Sequence, residues 1–239
     1  MNFNNILKYI TDLELNNNRT WFHEHHKEYE RASAEFHELL ERMRMSICSA
    51  APELQHDILY CSVKDWCYRI PRDMRMPRNR QMPPYNPSYR AYISPDRKSN
   101  KPVGYFVSIS PDGCVFGTGL WYAESDVIDK VRHYIQNNVD EFEEIIEDGD
   151  LFIDGDSLRK VPKGFSEESP AAKWVKFKNW NTTFGIGTDE LTDFDDFCQK
   201  VTGWVDRAEP FRLFLLRALN SGTTLRESLT DFYNAGRWN

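Results

Sequence analysis

The sequence predicts an α+β domain in which a central antiparallel sheet is covered by helices from both ends of the chain. Three observations carry that reading. At both ends apolar residues step by three or four, the period of an amphipathic helix. The middle holds short alternating runs and one strong turn, Ser110-Pro111-Asp112-Gly113. No repeat, linker or low-complexity tract divides the chain, so one domain over residues 1–239 is expected, long enough to bury a real core.

The elements follow in order. Phe3, Ile6, Leu7, Ile10 and Leu13 form one apolar stripe, a first helix. Asn16, Asn17 and Asn18 interrupt it, and Asn18 is placed to cap the next helix. That helix is expected to be long, with Phe22, His25, Tyr29, Ser33, Phe36, Leu40, Met43 and Ile47 on its inner stripe, until Pro52 ends it. Trp66 to Ile70 reads as a strand. Pro71, Pro77, Pro83, Pro84 and Pro87 exclude a long helix beyond it and favour extended backbone. Tyr89 to Ser94 is a strand beside a hairpin of Tyr105–Ser110 and Cys114–Trp121. In the turn, Pro111 fixes φ and Gly113 supplies a positive one. Gly117 and Gly119 share one face and leave room for a neighbouring backbone, a reading favoured over phosphate binding.

Ser125 is expected to cap a helix carrying Val127, Ile128, Val131 and Ile135, followed by an acidic helix through Phe142, Ile145 and Ile146. Asp148 to Lys160 reads as a loop. Ser169-Pro170 is a helix start, and Thr182 to Phe184 an edge strand. Thr192 to Asp195 opens a helix ending at Val205, and Pro210 opens another over Phe211 to Leu219. Thr224 and Glu227 form a capping box for a short last helix.

Hydrophobic residues make up 40% of the chain and charged residues 28%, ordinary for a soluble globular protein. No apolar run approaches the ~20 residues that span a bilayer, and the N-terminus lacks the pattern of a signal peptide. The five cysteines are scattered, with no Cys-x-x-Cys. A cytoplasmic location, free thiols and no membrane partner are therefore expected. Cys67, near Arg69, is the one thiol placed for activation by a cation. His23 and His26 could share a face, but no third ligand stands at metal spacing, so no metal is expected. His25 belongs to the apolar stripe as a core histidine, and Arg19 with Trp21 anchors the helix start. No P-loop, Gly-x-Ser-x-Gly or His-Glu-x-x-His occurs, so neither a cofactor nor a reaction class follows.

The unusual chemistry lies between Trp66 and Tyr92. Arg69, Arg72, Arg75, Arg78 and Arg80 sit there with one acid, Asp73, and the first four recur every third residue. On a polyproline II backbone they would line one side about 9 Å apart. Lys64 to Lys101 holds ten bases and three acids, and Glu124 to Asp156 holds twelve acids and two bases. Guanidinium groups bind phosphate and carboxylate bidentately. The leading function is therefore binding of an anionic small molecule, phosphate- or carboxylate-bearing, at Arg69, Arg72, Arg75 and Arg80. In that reading Asp73 orients the arginines, Tyr85 closes the site and a loop brings in Lys163. The rival is a structural or protein-interaction module whose arginines pair with acidic helices, its own or a partner's. A third reading is an enzyme acting on a phosphorylated substrate, with Asp73 as base. Nothing in the sequence sets an oligomeric state.

One resemblance ties these segments together. Asn17-Asn18-Arg19-x-Trp21-Phe22, then Arg69-x-x-Arg72-Asp73-x-Arg75, then a tyrosine, then Val161-Pro162-Lys163-Gly164-Phe165 with Pro170 behind it, resemble the bacterial domain-of-unknown-function family 2461. The resemblance covers residues 3–219 and leaves 220–239 as a C-terminal extension. Met76 stands where that family usually has Phe, Asn79-Arg80 replaces an Asp/Asn-Lys pair, the spacing to Tyr85 is stretched, and Asn86 replaces a lysine. The resemblance supports the place of the site and implies no particular reaction.

Tyr68, Tyr85, Tyr89 and Tyr92 are aromatics that could stack bases, but the net charge of −7 opposes the usual basic footprint of a nucleic-acid binder. Specific duplex DNA binding is not expected. A salt titration should show no sub-micromolar binding at physiological ionic strength and no steep log–log salt slope.

Overall fold

The computed structural model describes residues 1–95 and 103–221. The N-terminal helices are α1 (Asn4–Leu15), α2 (Arg19–Glu24) and α3 (His26–Ala50), followed by two single turns, α4 (Gln55–Ile58) and α5 (Val63–Trp66). Strands β1 (Tyr89–Ile93), β2 (Val103–Ser110) and β3 (Gly113–Leu120) come next, then α6 (Ser125–Asn137) and α7 (Val139–Asp148). The chain finishes with β4 (Ile153–Asp154), α8 (Ala172–Val175), β5 (Trp180–Gly187) and α9 (Phe194–Asn220). Among the described residues the sheet runs β1-β2-β3-β5-β4, every neighbouring pair antiparallel. The fold is α+β, a central antiparallel sheet flanked by N- and C-terminal helices. No helix among the described residues is long and apolar enough to cross a membrane.

Alternation decides the two faces of the sheet. Tyr89, Ala91, Ile93, Tyr105, Val107, Ile109 and Phe116 are buried and share the core with the stripes of α1, α3 and α9. Arg90, Tyr92, Phe106 and Ser108 alternate with them and remain half-buried, and Val115 is exposed. One face is thus packed and the other meets solvent, the usual economy of an antiparallel sheet. A charged network crosses the core as well. The buried Tyr105 hydroxyl donates to Glu209, and Arg212 Nε donates to Glu209 Oε2 at 2.7 Å, tying α9 to β2.

Several elements differ from the sequence reading. The long second helix breaks at His25, whose φ of −104° and ψ of 29° lie outside the helical region. Its ring stacks on Trp21 at 4.1 Å and its Nδ1 is 2.9 Å from the Trp21 carbonyl, so the break is held locally. Asn18 caps α2 as expected, accepting from Trp21 N at 3.0 Å. The two helices expected on either side of Pro210 are one. Pro210 lies on the exposed side of α9, while Val201, Trp204, Val205, Ala208, Phe211, Phe214 and Leu215 form an unbroken buried stripe. A proline inside a helix costs about 3 kcal/mol, and each large apolar side chain buried gives back about 1.5–3 kcal/mol. Asp193 caps that helix, accepting from Asp195 N and Asp196 N at 2.9 Å each.

Ser125 is the first residue of α6, and Glu124 holds the cap position without a side-chain bond. Ser169-Pro170 starts only the single turn α8, with Ser169 Oγ accepting from Ala171 N at 3.2 Å. The strand read at Thr182–Phe184 is longer and lies inside the sheet at Asn181 and Thr182, because β4 forms within the expected loop and pairs there. Trp66 closes α5 instead of opening a strand, and its indole donates to the Ser94 carbonyl at 3.1 Å. The capping box of Thr224 and Glu227 lies outside the described residues.

The glycines behave as the turn chemistry requires. Gly113 has φ 136° at the hairpin turn, and Gly119 has φ 143° with Trp180 O only 2.3 Å from where a Cβ would sit. Both Gly117 and Gly119 therefore make way for the β5 backbone. Gly203, exposed on α9, has open space around its Cβ position. Chemical denaturation should find Gly203→Ala more stable by about 0.8–1.0 kcal/mol, and Gly119→Ala less stable by more than the ~1 kcal/mol typical of a compatible Gly→Ala change.

Candidate functional site

The arginine segment is an arm laid against the edge of β1. Isolated bridges join Cys67 to Ala91 and Pro71 to Tyr85. Tyr68 N donates to Arg90 O at 2.8 Å, Asn86 N to Ile70 O at 2.8 Å, and Arg72 N to Pro84 O at 2.8 Å. The prolines keep this pairing from becoming a regular ladder, since each removes a donor. The loop beyond Arg72 is a chain of turns and not an extended polyproline run. Asp73 Oδ1 accepts from Arg75 N at 3.1 Å, Asn79 Nδ2 donates to Asp73 O at 2.9 Å, and Pro77–Asn79 makes one 3-10 turn. Short polar side chains that bond their own backbone favour such turns.

Tyr85 anchors the arm. Its N–H donates to Asn17 Oδ1 at 3.0 Å, and its carbonyl accepts from Asn17 Nδ2 at 3.0 Å. Its buried ring stacks on Phe22 with centroids 4.1 Å apart and planes at 7°. Arg72 Nη1 donates to the same Tyr85 carbonyl and, at 2.9 Å, to Pro83 O. Residues from three of the sequence motifs therefore meet here: Asn17 and Phe22 from the first, Arg72 from the second, and the tyrosine itself.

A scan against family models matches residues 5–214 to "Conserved hypothetical protein (DUF2461)". The chain belongs to the DUF2461 family. Searches of curated proteins and of solved structures return no match. In this DUF2461 protein the Asn17-to-Phe22 and Arg69-to-Arg75 motifs are thus joined physically, through the backbone and ring of Tyr85.

The remaining sequence-predicted residues divide. Asp73 and Arg75 make a two-bond fork, Nε to Oδ1 at 2.9 Å and Nη2 to Oδ2 at 2.8 Å, with the Arg75 side chain 91% exposed. The fork holds the Asp73 carboxyl down to about 2. Arg69, Arg78 and Arg80 are exposed, and their side chains make no hydrogen bond or ion pair to another described residue. Lys163 lies in the chain between β4 and α8, beside Gly164, which has φ 95°, and two residues before Phe165, which packs on His133 at 4.8 Å.

Arg90 is the partner that sequence reasoning missed. It projects from β1, its guanidinium 5.4 Å from the centre of the Tyr68 ring. With the Asn86 amide turned so that its oxygen faces Arg90, that oxygen accepts from Nη2 at 2.9 Å and Nη1 at 3.3 Å. Arg72 and Arg90 are thus held by consecutive residues, Tyr85 and Asn86. Burial lowers the pKa of both, and the Arg72 charge lowers that of Arg90 further. Both keep their charge, because a guanidinium starts above 12. Neither forms an ion pair with a described carboxylate. The strand alternation was a usable signal: Arg90 sits between Tyr89 and Ala91, both inward, so it had to face outward.

No group of three or more metal-ligating side chains occurs among the described residues. His23 and His26 contact Phe22, and His26 lies 3.5 Å from Glu30.

The fork has a measurable signature. A carboxyl whose folded pKa is depressed lends stability above its ordinary range and loses it as pH falls through the folded value. The carboxyl carbon of Asp73, followed by NMR, should titrate near the about 2 that the fork imposes. In Arg75→Ala the midpoint should rise toward the ordinary value of about 3.9 but stay below it, because the Arg75 backbone N–H still donates to Asp73. A wild-type midpoint already at the ordinary value would contradict the fork.

Proposed function

We propose that this DUF2461 protein binds an anionic ligand, phosphate- or carboxylate-bearing, at the arginine arm, with Arg72 and Arg90 as its inner cations. One observation supports this above the rest: two half-buried guanidinium groups lie within reach of each other's field with no described carboxylate paired to either. Their bonds go to neutral oxygens, the Pro83 and Tyr85 carbonyls and the Asn86 amide. Removing like charges from water without a counter-charge is costly, and an anion relieves that cost. Arg69 and Arg80 add long-range attraction from the exposed side, and Arg75 adds less because Asp73 offsets it. A cytoplasmic setting, where phosphorylated and carboxylated metabolites are plentiful, suits the reading.

The rival pairing with the chain's own acidic helices has less support. Glu141 of α7 is taken by Arg217, and Glu143 by Lys173 and the Trp174 indole, all far along the chain from the arm.

Thermal unfolding with an anion panel tests the proposal. A ligand at 100 times its Kd adds about 2.7 kcal/mol, which is roughly 5–10 °C for a domain of this size. Phosphate or pyrophosphate should raise Tm by such an amount over chloride at matched ionic strength. Arg72→Ala should lose that increment. It should also lower the unliganded stability by about 1.5–3 kcal/mol, because the Pro83 and Tyr85 carbonyls lose a charged donor. The absence of any anion-specific shift in the wild type would overturn the proposal.

A further inference from the structure

The donors left free on the two inner arginines say more about the ligand. Arg72 spends Nη1 on two carbonyls, leaving Nε and Nη2 without a bond to any described residue. Arg90 gives one donor each from Nη1 and Nη2 to Asn86, leaving the other hydrogen of each nitrogen. These free edges belong to groups anchored on adjacent residues, Tyr85 and Asn86, so one ligand can meet both. Together the two groups carry two positive charges. A carboxylate or a phosphodiester brings one negative charge and leaves the second guanidinium uncompensated in a half-buried place. A phosphomonoester above its second ionisation brings about two negative charges and three terminal oxygens.

We infer that the Arg72–Arg90 pair selects a dianionic phosphomonoester over monoanionic carboxylates and phosphodiesters. The inference rests on the anion-binding proposal and narrows it. Arg90 is then a specificity-determining residue: Arg72 alone suffices for a monoanion, and Arg90 supplies the preference for the second charge. Tyr68 fixes the Arg90 guanidinium from one side through its ring, and Asn86 fixes it from another. The groups that act electrostatically on Arg90 are Arg72 and the Tyr68 phenol, and burial raises the Tyr68 pKa, so neither titrates between pH 5 and 8. His23 and His26 lie beyond Phe22, one ring removed from Tyr85. The pH dependence of binding should therefore follow the ligand.

The test is calorimetric titration of the full chain with methyl phosphate, inorganic phosphate, dimethyl phosphate, acetate and sulfate. Methyl phosphate should bind at least tenfold tighter than dimethyl phosphate or acetate at pH 7.5. Its affinity should fall about tenfold by pH 5, as the second ionisation near pH 6 is crossed. Sulfate, dianionic throughout, should show no such fall, and this control removes any titration of the protein. Equal binding of methyl phosphate and inorganic phosphate would assign the recognition to the phosphate group alone, as inferred. Arg90→Gln should lower methyl phosphate to the dimethyl phosphate level while dimethyl phosphate changes little. Arg90→Lys, which keeps the charge, should retain part of the preference and guards against a folding defect in the glutamine variant. Dimethyl phosphate or acetate binding as tightly as methyl phosphate would overturn the dianion inference and leave the anion proposal standing. Failure of every anion to bind would remove both.

Discussion

A buried residue whose N–H and C=O are not bonded by its bridge partner must still satisfy both groups. In this protein that problem falls at Tyr85. Its ring is drawn under Phe22, and a continuous ladder is denied by Pro83, Pro84 and Pro87 on either side. The Asn17 amide answers both backbone groups at once, donor to acceptor and acceptor to donor. Arg72 adds a charged donor to the same carbonyl. Asn17, Phe22 and Arg72 thus all meet the arginine arm at this one residue. Asn17 comes from the short link between α1 and α2, so the arm is also tied to the N-terminal helices that cover the sheet.

Charge is distributed around that anchor unevenly. In the acidic stretch between Glu124 and Asp156, Asp129 pairs with Arg132, Glu141 with Arg217 and Glu143 with Lys173. The arm keeps Asp73, and Arg75 occupies it. Exposed pairs such as Glu141–Arg217 and Glu143–Lys173 contribute little to stability, about 0–1 kcal/mol each, so they do not explain the fold. Neither Arg72 nor Arg90 is paired with a carboxylate among the described residues.

Much of the fold was legible because period and turn chemistry are local. The stripe of Phe3, Ile6, Ile10 and Leu13, with Leu7 partly buried beside it, the Ser110–Gly113 turn and the Asn18 cap all appear where the sequence put them. Errors arose where tertiary burial overrode a local rule. Pro210 reads as a helix start, yet the buried stripe through Phe211 and Leu215 carries α9 past it. Five prolines and a three-residue arginine period suggested an extended arm, and the Asp73 and Asn79 side chains folded it into turns. At the candidate site, the sequence located Arg72, Asp73, Arg75 and Tyr85 but could not show who meets whom. Lys163 belongs to a motif on a separate loop, between β4 and α8. Arg90 stands outside the dense arginine run, and only the strand pairing brings it to Arg72.

The most direct measurement is a crystal structure of the full chain grown with a phosphomonoester and without other polyvalent anions. The expected result is tetrahedral density bridging the free edges of Arg72 and Arg90, with Tyr85 still held by Asn17. Density elsewhere, or a carboxylate of the chain itself lying between the two guanidinium groups, would contradict the proposal that this pair binds the anion.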